Sequence, residues 1–88
     1  MPRVLELFTH PGCLSREEGR HLIQAVLKDF RDVSFKDVDM AAEQKRSVVL
    51  GVRMSPTLVF DDKIIAIGIP PRETLRMLLE ELTHDKTH

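Results

Sequence analysis

The sequence predicts an α/β domain of element order β-α-β-α-β-β-α, with a four-stranded mixed sheet and three helices. Three observations predict it. A nearly unbroken apolar run occupies positions 3–9, two helical stripes recur at 22–30 and 75–82, and a pair of short β-rich runs flanks Asp61-Asp62. The first strand and the next parallel one need a crossover helix between them, whereas the later pair fits a tight antiparallel hairpin.

Val4, Leu5, Leu7 and Phe8 make the run from Arg3 to Thr9 a strand buried on both faces, hence central in its sheet. From Leu14 onward, Leu22, Ile23, Val26, Leu27 and Phe30 recur at helical spacing, with Arg16, Glu17, Arg20, Gln24, Lys28 and Arg31 on the other side. Gly19 interrupts this helix at a cost of about 1 kcal/mol relative to Ala, which points to a close approach or weak ordering there. Val33 to Val38 is β-branched and aromatic, and reads as the second strand. Asp39 is the expected N-cap of a second helix running through Ala41, Ala42 and Glu43 to Leu50, with Gly51 as its stop. Thr57 to Phe60 and Ile64 to Ile67 form the hairpin. After Gly68, Pro70 and Pro71, the stripe Leu75, Leu78, Leu79 and Leu82 marks a final helix, with Pro71 near its first turn and Glu73 close behind.

At 88 residues the chain is expected to be a single domain over 1–88, with a polar tail from about Thr83. A chain of this size buries roughly 60–65% of the surface exposed by its unfolded form. Its 13 basic and 14 acidic residues leave no net field to recruit nucleic acid or an anionic membrane, so small-molecule or protein partners are expected. MPRVLELFTH lacks the long apolar run and small-residue cleavage site of a signal peptide. No segment approaches the ~20 apolar residues of a membrane helix. The sole cysteine, Cys13, rules out an internal disulfide and suits a reducing, cytoplasmic setting. The sequence leaves the oligomeric state open.

Three segments carry a family resemblance. HPGCLSR, His10 to Arg16, resembles the glutaredoxin-type active-site turn, in which Pro-Gly-Cys leads into the first helix. VRMSPTLVF, Val52 to Phe60, resembles the segment where that superfamily places a cis-proline beside the active cysteine. DDKIIAIGIPPRETLRMLLEEL resembles the final hairpin, glycine and helix of small thioredoxin-like proteins. Together they cover nearly the whole chain, and they imply a thioredoxin-like fold and thiol–disulfide chemistry. The departures are as informative. Arg16 stands where redox members carry the second cysteine of Cys-x-x-Cys, and Ser15 comes one place early for the Cys-Gly-Phe-Ser of monothiol glutaredoxins.

The resemblance makes Cys13 the candidate nucleophile. Exchange needs the thiolate, and an isolated cysteine is mostly protonated at neutral pH. A helix N-terminus, the Arg16 guanidinium and His10 in the preceding turn would all stabilise the anion. The competing readings are a small buried hydrophobe for Cys13, a solvated helix face for Arg16 and a solvated turn for His10. His10 also occupies the position at which many glutaredoxins hold the glutathione carboxylate with lysine. Glu17 and Glu18 compete for the same helix dipole or serve as ordinary first-turn acids. A cis bond at Pro56 would turn the Ser55 backbone toward the cysteine and offer it to an extended substrate; otherwise Pro56 simply starts a strand. Gly68 resembles part of the family's glutathione-binding glycine turn, although the following IPPRE lacks its Gly-Gly and aspartate.

With no second thiol, a mixed disulfide on Cys13 needs an external thiol to resolve it. The reading is a monothiol oxidoreductase acting on protein or small-molecule disulfides, with no cofactor and with glutathione as a possible co-substrate. The alternative is a redox-silent module of the same fold that holds a peptide or protein. A metal pair at His84 and His88, or an iron–sulfur cluster shared through Cys13, is disfavoured against a polar tail and an incomplete motif. Met40, Met54 and Met77 read as core or loop fillers.

Overall fold

The computed structural model describes residues 3–84. Strands β1 (Arg3–Thr9), β2 (Val33–Asp39), β3 (Thr57–Phe60) and β4 (Lys63–Ile67) alternate with helices α1 (Arg16–Leu27), α2 (Gln44–Leu50) and α3 (Arg72–Thr83) in the expected order. The sheet order is β2-β1-β3-β4. β1 runs parallel to β2 and antiparallel to β3, and β3 pairs antiparallel with β4, so β1 is central as its apolar run requires.

The two-residue period of β1 sorts its side chains into two cores. Leu5 and Leu7 pack with Ile23 and Val26 of α1 and with Leu75 and Leu79 of α3. Phe8 faces the other way and joins Val38, Met40, Val52 and Val59, a smaller cluster closed by Leu50 of α2. Gly19 is a close approach: a Cβ there would lie 2.7 Å from Cδ1 of Ile69, which is how α1 and the β4–α3 connection come so near each other.

Two helix starts differ from expectation. α1 begins at Arg16 and not Leu14, because successive tight turns hold the chain before it. Cys13 N–H donates to the His10 carbonyl and Arg16 N–H to the Cys13 carbonyl, while Ser15 is the first to accept a helical bond, from Gly19 N–H. α2 begins at Gln44, because Asp39 ends β2 and its carboxylate takes the Ala41 N–H at 2.8 Å, capping a turn before any helix starts. Gly51 does stop α2, at φ +85°, with Gly51 N–H on the Val48 carbonyl and Val52 N–H on the Ser47 carbonyl.

The hairpin turn places Asp61 and Asp62 at φ +50° and +69°, unusual for non-glycine residues. Each is tied down. Asp61 accepts from Arg3 Nε at 2.7 Å and from Val4 N–H at 3.1 Å, and Asp62 accepts from Arg46 at 2.9 Å. Ile65 is an extra residue in β4, where the register slips opposite Leu58 and Val59. Met40 is core and Met54 is in a loop, but Met77 lies on the exposed face of α3 and fills neither.

Candidate active site

The site forms where β1, the start of α1 and the loop before β3 meet. β1 delivers Thr9 and His10 to its C-terminal end, and Gly12, at φ +82°, bends the chain so that Cys13 sits half-exposed between strand and helix. Leu14 beside it is 97% exposed. The loop before β3 approaches from the other side. The His10 N–H donates to the Ser55 hydroxyl at 3.0 Å, joining the cysteine turn to the Ser55–Pro56 peptide, which is cis. Gly68 completes the assembly, its N–H donating to the Pro56 carbonyl at 2.7 Å.

Cys13, His10, Ser55, Pro56 and Gly68 are therefore linked through turn and loop backbone. Arg16 is directed elsewhere. Its guanidinium meets the Asp37 carboxylate of β2 at 3.4 Å, a contact that neither reading of Arg16, as a thiolate partner or as a solvated helix residue, included. Cys13 also precedes Ser15, the cap of α1, so it stands before the helix rather than in its first turn. Both placements share one cause: the turns between Cys13 and Arg16 delay the helix, and Arg16 meets β2.

Beside this assembly runs a groove between α1 and the β4–α3 connection. Ser15, Glu18 and Leu22 form one wall, and Pro56, Ile69 and Pro70 the other. Glu17, the neighbour of Glu18, is held by Arg20 at 2.6 Å, and that bond, followed by the Arg20 charge, lowers its carboxyl below the usual range. The Glu18 carboxylate has no hydrogen bond or ion pair among the described residues.

A second polar feature lies under the opposite face of β1. Glu6 is 2% exposed and accepts two bonds from Arg46 of α2, at 2.6 and 2.8 Å, and the same guanidinium lies 5.5 Å from the centre of the Phe8 ring. Its bond to Glu6 raises the Arg46 pKa above the ordinary value. The sequence reading passed over this pair, although a carboxylate inside an apolar run signals that a cation must meet it.

Among the described residues, no group of three or more His, Cys, Asp or Glu side chains is placed to hold a metal ion. His88 of the proposed His84 and His88 pair lies outside the described residues. No helix among them is long and apolar enough to cross a membrane.

Sheet order, the helix-leading cysteine turn and the proline loop together make a thioredoxin-like fold that carries a single cysteine. The chain has the thioredoxin-like fold. No protein-family model matches it. It is 28% identical over 80 residues to a probable thioredoxin of Archaeoglobus fulgidus, covering 90% of this chain and 88% of the relative. Among solved structures, Fasciola hepatica thioredoxin superposes with a TM-score of 0.73 at 21% identity, over 91% of this chain and 80% of that one. Mitochondrial thioredoxin 3 of Saccharomyces cerevisiae does so with a TM-score of 0.74 at 18% identity, over 90% and 77%. At such identities the structural likeness concerns the fold.

Proposed function

We propose that the chain is a monothiol thiol–disulfide oxidoreductase in which Cys13 is the nucleophile. The observation that carries this reading is the tie between the cysteine turn and the proline loop, His10 N–H on the Ser55 hydroxyl, which joins the turn bearing a half-exposed cysteine to the loop bearing the Ser55–Pro56 peptide. Among the described residues the Ser55 backbone N–H and carbonyl make no hydrogen bond within the chain, so both are available to an extended substrate adding as a strand.

The Cys13 thiolate attacks one sulfur of a substrate disulfide; a new S–S bond forms, the substrate S–S bond breaks and its other sulfur leaves as thiolate. An external thiol, such as glutathione, then attacks the mixed disulfide, returns Cys13 to its reduced state and is itself left in a disulfide with the substrate. The arrangement suits a reducing, cytoplasmic setting that supplies that thiol.

Incubation with a small disulfide should give one adduct per chain by intact mass, reversed by added thiol and missing in Cys13→Ser. A native protein that forms no adduct under conditions where its unfolded form does would overturn the proposal. The Arg16–Asp37 pairing favours the second reading, a redox-silent peptide-binding module, because it takes the guanidinium away from the sulfur.

A further inference from the structure

Resting on the reading that Cys13 exchanges with disulfides, the groove that Ser15 of the same turn and Pro56 line points to the chemistry of the disulfide it accepts. Leu22, Pro56, Ile69 and Pro70 make most of the groove apolar, and Glu18 is the charged group in its described wall. The cations nearby do not neutralise that carboxylate. Arg20 is held by Glu17 and Arg16 by Asp37, and Arg72 follows Pro71 at the groove's end without belonging to its wall. Glu17 and Glu18 are adjacent in sequence yet differ in kind, one satisfied within its own helix and the other left to solvent at the rim of a groove.

An apolar slot with a single unpaired carboxylate complements an extended segment bearing apolar side chains and one cation. It opposes glutathione disulfide, whose carboxylates outnumber its ammonium groups. We propose that the groove between α1 and the β4–α3 connection binds an extended peptide disulfide whose cysteine lies near a lysine or arginine, with that cation paired to Glu18. Cys13 then exchanges with the seated disulfide as described above, and the charge sets the choice among disulfides without entering the sulfur chemistry.

The test is the rate of Cys13 adduct formation with matched short peptide disulfides that carry Lys, Gln or Glu at one position near the cysteine, at low ionic strength. The expected order is Lys, Gln, Glu, with a spread of about threefold to tenfold for a solvent-exposed ion pair and its like-charge counterpart. Glu18→Gln should collapse the spread and Glu18→Lys should invert it, while Glu17→Gln should leave it unchanged. Raising the salt should narrow it. An unchanged spread in Glu18→Gln, equal rates for all three peptides, or a faster reaction with the Glu peptide overturns the proposal. If no peptide forms an adduct, the thiol reading fails by itself. Binding of the corresponding linear peptides to Cys13→Ser then decides the groove: a Lys preference that Glu18→Gln removes supports the proposal, and no preference overturns it.

Discussion

The backbone N–H of His10 donates to the hydroxyl of Ser55 across 45 positions of sequence, at 3.0 Å. This bond joins the turn that carries Cys13 to the loop that carries Pro56, and its removal should loosen their relative placement more than the fold. Ser55→Ala is expected to cost about 0.5–1 kcal/mol in global stability, at the low end for a bond that solvent can replace. The exchange rate at Cys13 should fall more than that stability change explains, and Ser55→Thr should restore it in part. Denaturant melts alongside adduct rates check both.

Arg46 and Glu6 form the most buried ion pair described, and truncating one partner should be far worse than replacing both. Arg46→Ala leaves the Glu6 carboxylate buried without its cation and should cost about 3 kcal/mol, the low end for such a pair because Arg46 itself is partly exposed. The double change Glu6→Leu with Arg46→Met should recover most of that loss. Urea melts of both single variants and the double variant measure the coupling directly.

Arg16 closes a tight turn with Cys13, its N–H on the Cys13 carbonyl, where the resemblance to dithiol thioredoxin-like proteins puts the second thiol. Arg16→Cys should therefore allow an internal disulfide with Cys13 and raise dithiothreitol-driven reduction of insulin above that of the parent chain. A folded variant that neither closes the disulfide nor reduces insulin would count against the geometry assigned to the turn.

Much of this arrangement was legible in the sequence. Leu22, Ile23, Val26 and Leu75, Leu79 declare their helices through spacing, and all five pack against the same side of the sheet. Gly19 signalled a close approach or weak ordering, and the approach is that of Ile69. What spacing did not show was how side chains and turns trim element ends. Asp39 reads as a helix cap because its residue type favours both roles; the carboxylate instead closes a turn with Ala41 N–H and postpones α2 to Gln44. Arg16 reads as a partner of Cys13 because the two are near in sequence, but a strand neighbour, Asp37, reaches it first. Glu6 and Arg46 lie 40 positions apart, so only the fold reveals their pairing. The groove is of the same kind, since Glu18 and Pro70 meet through tertiary packing alone.

The central claim is that folding makes Cys13 a reagent. The most direct measurement is its rate of alkylation by iodoacetamide at neutral pH, in the native protein and in the same protein unfolded in urea, corrected for the effect of urea on a free thiol. The account, in which Cys13 is the nucleophile, predicts that native Cys13, held half-exposed in its turn, reacts at least several-fold faster than unfolded Cys13. A native rate equal to or below the unfolded one would contradict it, leaving the fold as a binding module with an incidental cysteine.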